Sequence, residues 1–191
     1  MKIEQAQRQQ AGEIARLIMT AMNEECCQYF AGPAHTLADF EAMMTTLCAR
    51  DDSQYSYLNT LVAIDEERGK VAGVCVSYDG ALLHTLRKAF LEEVWNYCEM
   101  DHSGMDDETQ AGELYIDSLC VDKAYRGQGI ATRLLEATVE KARRMQIKEV
   151  GLLVDHGNPQ AEKLYRRVGF TYQNDAAWGG HPMRHLVKHV S

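Results

Sequence analysis

Apolar residues recur at helical spacing through Ile14, Leu17, Ile18, Ala21 and Met22, and Gly32-Pro33 closes this first helical stretch. A second stripe, Leu37, Phe40, Met43, Met44 and Leu47, follows Thr36, whose hydroxyl suits an N-cap, and stops near Arg50-Asp51-Asp52. From Asn59 the period shortens to that of a strand. The runs TLVAI and KVAGVCVSY flank the polar turn 65–69 and predict a hairpin. Helical spacing returns through Leu82, Leu83, Leu86, Phe90, Val94 and Tyr97, after which residues 101–112 are acidic, contain glycine and read as a mobile loop. Residues 80–112 therefore read as an insertion between strands. The rest alternates: strand ELYIDSLCV, glycine-rich turn RGQGIA, a long helix, strand EVGLLVD, and a helix opened by Asn158-Pro159 and closed by Gly169. The long helix carries Ile130, Leu134, Leu135, Val139 and Ala142 on its apolar stripe, with Glu140 placed to pair with Arg144. FTYQND and MRHLVKHV read as the last two strands.

Composition narrows the class. The chain has 191 residues, 46% of them hydrophobic and 25% charged, which fits one globular domain without a disulfide or metal staple. A formal charge of −8 makes it a poor partner for phosphate backbones and a mild attractor of cations, so no nucleic acid is expected. The N-terminal stretch is broken by charges and glutamines, which gives a cytoplasmic protein without a membrane partner as the expectation. Cysteines 26, 27, 48, 75, 98 and 120 show no CxxC spacing and read as reduced, mostly buried thiols; a disulfide between helical neighbours 26 and 27 is awkward. His181, His185 and His189 recur every fourth residue, which raises a metal-binding module as one reading. Val187 on the same face and Pro182 favour a solvated terminal strand, and no metal is expected.

The most specific feature is the run from Val121 through Arg126, Gly127, Gln128, Gly129 and Ile130 to Ala131, set between a strand and a long helix. Small residues there let N–H groups approach an anion at a helix start, and a pyrophosphate suits that environment. A third glycine at dinucleotide-fold spacing is missing, and no GK[ST] follows. Arg126-x-x-Gly129-x-Ala131 resembles the pyrophosphate loop of the GNAT superfamily of N-acetyltransferases. Asn158-x-x-Ala161-x-x-Leu164-Tyr165-x-x-x-Gly169-Phe170 is similar to a second segment of that family, in the family's order. The resemblance implies an α/β (α+β) fold: a mixed, mostly antiparallel twisted sheet of six to seven strands flanked by helices, with a helical insertion between the third and fourth. It gives a single domain over 1–191, a coenzyme-binding core over 113–172, and an 80–112 insertion longer than the family's usual connection.

The same resemblance implies acetyl transfer from acetyl-CoA to a primary amine by direct attack. Backbone N–H groups of Gln128, Gly129, Ile130 and Ala131, with Gly127 and the Arg126 charge, are expected at the pyrophosphate. Leu119, Cys120 and Val121 are expected along the pantetheine arm, with the Leu119 or Cys120 N–H at the thioester oxygen, and Asn158 at the coenzyme's amide region. Tyr165 is the candidate general acid, since a phenol with a pKa of about 10 stays protonated beside a leaving thiolate. Asp117 is the first candidate base and Glu113 the second, against the alternative of carboxylates that merely cap or solvate a strand end. Strand alternation puts Glu113, Tyr115, Asp117, Leu119 and Val121 on one face unless a bulge intervenes. A covalent role for Cys120 is disfavoured, since spacing fixes no partner beside it. The acceptor is a small cationic amine or a peptide amine, and a homodimer is among the expectations. A non-catalytic acyl-CoA sensor is the alternative reading.

Overall fold

The computed structural model describes residues 1–191 as a seven-stranded sheet of order β1-β2-β3-β4-β5-β7-β6, covered by helices on both faces. The strands are β1 (Lys2–Gln5), β2 (Thr60–Asp65), β3 (Lys70–Asp79), β4 (Glu113–Val121), β5 (Glu149–Asp155), β6 (Thr171–Trp178) and β7 (His181–His189). All neighbours are antiparallel except β4 and β5, so the sheet is mixed as expected. The helices are α1 (Ala11–Met22), α2 (Glu24–Ala31), α3 (Leu37–Ala49), α4 (Leu83–Cys98), α5 (Ile130–Arg144) and α6 (Pro159–Val168). None is long and apolar enough to cross a membrane.

Two cores follow from this layering. Ile14, Ile18, Phe30, Phe40, Met43, Met44, Phe90 and Val94 of α1–α4 pack with Val62, Val74 and Val76 on one face. Ile130, Leu134, Leu135 and Val139 of α5 pack with Leu114, Ile116, Val150 and Leu152 on the other. The cap at Thr36 forms as expected, in a reciprocal capping box with Asp39.

Several expectations need correction. β1 was not anticipated: a four-residue edge strand with no buried position carries no periodic signal. The first helical stretch is two helices, because Asn23 takes φ 71° and caps α2 through its side chain. Glu140 pairs with Arg143 and not with Arg144. The acidic segment 101–112 is not a mobile loop, since His102, Glu108 and Thr109 are buried and four of its side chains are tied to α2, α4, β4 and the β6–β7 turn. His185 is buried against a carboxylate, whereas His181 and His189 stay exposed as a solvated strand requires.

Candidate active site

β4 and β5 pair only from Glu113↔Glu149 to Ile116↔Leu152, although β4 continues to Val121 and β5 to Asp155. Beyond Ile116 the parallel strands part. On its other side β4 stays paired with β3, where Asp122 donates its N–H to Ala72 at 2.9 Å. Antiparallel alternation then turns the Cys120 N–H toward β3 and leaves those of Leu119 and Val121 facing the opening. Arg126 Nε donates to the Val121 carbonyl at 3.2 Å, as that direction requires. Of the two N–H groups weighed for a thioester oxygen, Leu119 has the free one.

The opening ends at the start of α5. Gly129 is the N-cap and has no side chain to satisfy the first turn, and the N–H groups of residues 127–132 donate to no other group of the chain. Gly127 and Gly129 take φ of 78° and 74°, which L side chains rarely adopt, and nothing stands within 4 Å of where a Cβ would lie. The loop thus offers a row of unclaimed donors at a helix N-terminus, with the Arg126 side chain exposed beside it. Asn158 caps α6, accepting from the Ala161 N–H at 3.1 Å, so its carbonyl oxygen is already engaged. Tyr165 on α6 is half-buried and packs edge-to-face on Phe170 at 6.0 Å; its hydroxyl has no partner in the chain, and burial holds its pKa well above that of a free phenol.

Asp117 lies where the strands begin to part. Val76 pairs with Ser118 and Ser77 with Ile116, so Asp117 is the extra residue of a β-bulge. The bulge breaks the predicted alternation: Leu119 and Val121 pack on the α5 side with Leu114 and Ile116, while Cys120 joins the α1–α4 core. Lys141 of α5 braces this point through the Ser77 carbonyl at 2.6 Å, and burial lowers its pKa to about 8. Asp117 itself meets groups that sequence spacing does not connect. Its Oδ2 accepts from Gln54 Nε2 at 3.1 Å and sits 3.3 Å from the Tyr78 hydroxyl, and Ser118 donates to Oδ1 at 2.9 Å. Glu108, from the insertion, shares both Tyr78 and Gln54, at 3.2 and 3.5 Å. Arg87 of α4 holds the far oxygen of Glu108 and also donates to the Asp106 carbonyl and to Asp107. Burial, reinforced by the Asp117 charge, lifts Glu108 to about 7 despite Arg87; burial also raises Asp117. Gln54, Tyr78, Arg87 and Glu108 were missed from sequence. The one available signal was an arginine at a position helical spacing makes part of α4's inner face.

Glu113 belongs to a different network. It accepts from Thr109 at 2.6 Å and lies 2.7 Å from His185 Nε2, at the end of β4 where the strands are still paired. Four residues of strand separate it from Asp117, about 13 Å. The structure brings Asp117 to the opening and leaves Glu113 in the sheet.

Parted parallel strands, a row of free N–H groups at a glycine-capped helix and a carboxyl pair beside the opening are features of the N-acetyltransferase fold. The chain belongs to the acetyltransferase (GNAT) family, whose model matches residues 19–170. It is 43% identical over 68 residues to an acetyltransferase of Agrobacterium fabrum, covering 36% of this chain and 48% of that protein. It is 28% identical over 76 residues to a probable spermine N(1)-acetyltransferase of Bacillus subtilis subsp. natto, covering 39% and 50%. The chain thus spans about half the length of these curated relatives. The crystal structure of an N-acetyltransferase from Staphylococcus aureus superposes with a TM-score of 0.82 at 26% identity, over 98% of this chain and 100% of that one.

Proposed function

We propose that this protein transfers the acetyl group of acetyl-CoA to a primary amine, with Asp117 receiving the amine's proton. The observation that carries the reading is the position of Asp117, a bulge carboxyl at the point where β4 and β5 separate. The residues present fit acetyl-CoA: free N–H groups at 127–132 and Arg126 suit its pyrophosphate, and the free edge at Leu119 and Val121 suits its amide-bearing arm. Bound there, acetyl-CoA supplies an acyl group already activated as a thioester.

The chain's own residues supply the rest. The Leu119 N–H, fixed in a strand, is a preorganised donor for oxygen charge developing at the acyl carbon. Asp117 needs no long movement to accept a proton at the opening, and its raised pKa makes it a stronger base than an exposed aspartate. Tyr165 stays protonated across the neutral range and donates a hydrogen bond toward a departing sulfur. Likeness to a spermine acetyltransferase and the acidic site both favour a cationic amine as acceptor.

The test is thiol release from acetyl-CoA with a panel of primary amines: alkylamines, polyamines and peptide N-termini. Amine-dependent release that is lost in Asp117→Asn supports the reading. Tight coenzyme binding without release on any amine refutes it and favours a sensor.

A further inference from the structure

Glu108 and Asp117 face each other across a single phenol. Both Glu108 Oε1 and Asp117 Oδ2 lie within hydrogen-bond distance of the Tyr78 hydroxyl, at 3.2 and 3.3 Å. That hydroxyl has one hydrogen to give. With both carboxyls ionised, one of these contacts would set two bare oxygens against each other. With one proton on the pair, a carboxylic acid donates to the phenol oxygen and the phenol donates to the other carboxylate, and both contacts are satisfied.

Counting charge gives the same answer. Arg87, with 5% of its side chain exposed, offsets one of the two carboxylates. One further positive charge is needed to neutralise the set. The other groups facing the pair are neutral or already engaged: Gln54 and Tyr55 from the segment before β2, Tyr78 from β3, Tyr115 and Ser118 from β4, Cys26 from α2, and Asp107, which is half-exposed and bound to His84 and Arg87. Burial holds the three tyrosines and Cys26 protonated, and it drives Glu108 up to about 7.

A separate observation points to a ligand. Gln54 is 1% exposed and its amide nitrogen rests on both carboxyls, yet its carbonyl oxygen has no partner. Leaving a buried carbonyl unpaired costs free energy that a bound donor would recover. An ammonium group carries three N–H donors. Asp117 and Glu108 both accept from the Gln54 amide nitrogen, and the unpaired carbonyl of the same side chain is a third acceptor.

We propose that Glu108 and Asp117 hold one proton between them across Tyr78, and that a primary ammonium is the ligand this pair takes in the proton's place. The inference rests on the amine reading above and extends it to the insertion, which supplies both Glu108 and Arg87. When the ammonium enters, the shared proton leaves to solvent and the enclosed charge is unchanged. The ammonium then returns one N–H proton to the carboxyls, which leaves a neutral amine beside a pair carrying one proton again.

Two measurements on the full chain test this. The first is thermal melting between about pH 5 and about pH 8.5. The folded pair keeps a proton that unfolded carboxyls have lost, so the wild-type melting temperature falls as pH rises toward neutrality and levels just above it. Glu108→Gln flattens that fall. Tyr78→Phe, which keeps both carboxyls without their bridge, moves the pH at which the fall ends and serves if the glutamine variant does not fold. The second is calorimetry at about pH 6.5 with n-butylamine and spermine as probes, in two buffers of different ionisation heat. The wild type releases close to one proton per amine bound; Glu108→Gln releases almost none and binds at least about tenfold more weakly. Parallel melting of wild type and both variants, equal proton counts, or binding of neither amine overturns the proposal. Amine binding with proton release but no thiol release from acetyl-CoA leaves it standing and refutes acetyl transfer. Thiol release with unchanged pH behaviour in Glu108→Gln does the reverse.

Discussion

Replacing Arg87 with methionine keeps most of the side chain's length and apolar contact while removing the charge that faces Glu108. The two side chains are 5% and 6% exposed, so the carboxylate has little water to turn to. At about pH 6 burial, which raises both carboxyls of the Glu108–Asp117 pair, keeps a proton on the pair with or without the arginine. The cost there is the lost donation to the Asp106 carbonyl at 2.9 Å and to Asp107 at 3.1 Å, roughly 2 kcal/mol at about 1 kcal/mol per bond. Above neutrality the two proteins diverge. A carboxyl whose folded pKa exceeds its unfolded value binds more protons folded than unfolded, so stability falls with rising pH until the folded pKa is passed. The wild type passes it near 7 and levels. The variant, with no cation to receive the charge, keeps falling by about 1.4 kcal/mol per pH unit. By about pH 8.5 the difference reaches about 4 kcal/mol, within the range of about 3–5 kcal/mol for breaking a buried ion pair. Urea unfolding followed by Trp95 and Trp178 fluorescence at the two pH values measures it. An equal difference at both would refute the reasoning, and with Glu108→Gln as the background Arg87→Met should cost the same at both pH values.

Four further outcomes follow from the geometry. Gly151→Ala sets a Cβ into Glu113 Oε2, which drives that carboxylate off His185 and should cost about 2–4 kcal/mol in urea unfolding while leaving coenzyme affinity intact. Tyr165→Phe should lower kcat by about a hundredfold in the thiol-release assay with coenzyme Kd unchanged; a collapse of affinity would deny the phenol its role at the sulfur. Gly129→Glu forces a side chain into φ 74° and sets a carboxylate before the free N–H groups, so calorimetric coenzyme binding should weaken by more than about a hundredfold. KM for a cationic amine should change by less than about threefold between low salt and about 0.5 M salt, because a buried pair is screened far less than surface charge.

The parts of this protein that were legible in its sequence are those whose physics is local. Arg126 to Ala131 and Asn158 to Phe170 are legible as turn-and-helix segments from their own residues, because a helix N-terminus and an Asn-Pro cap are made by neighbours; their link to a coenzyme comes from the family resemblance. The Thr36 cap and the hairpin at 65–69 are legible for the same reason. Asp117 was read as a candidate base, but its setting was not, since a bulge is a relation between two strands and β4's own alternation contains no trace of it. In the sequence Glu113 reads as the second candidate base or a strand-end carboxylate, and His185 as a solvated histidine. They are buried together because β5 and β7 bring positions 72 residues apart side by side, with Gly151 leaving room for the carboxylate.

The acidic insertion shows how charge can mislead when summed. In the sequence, residues 101–112 look like a mobile negative surface that draws cations by its field. In the structure each carboxylate of its central run has a specific partner: Asp106 accepts from the Gly179 N–H at 3.0 Å, Asp107 meets His84 and Arg87, and Glu108 turns inward to Tyr78 and Arg87. A diffuse field would be screened over about 8 Å at physiological salt and would favour any cation. A carboxyl fixed beside Asp117 acts within a few ångströms and favours a group that can donate hydrogen bonds to both carboxyls. The same negative charge therefore changes meaning once it is located, from attraction at the surface to contact between two carboxyls across one phenol. The insertion matters because it supplies both partners, Arg87 from the start of α4 and Glu108 from the segment beyond its end.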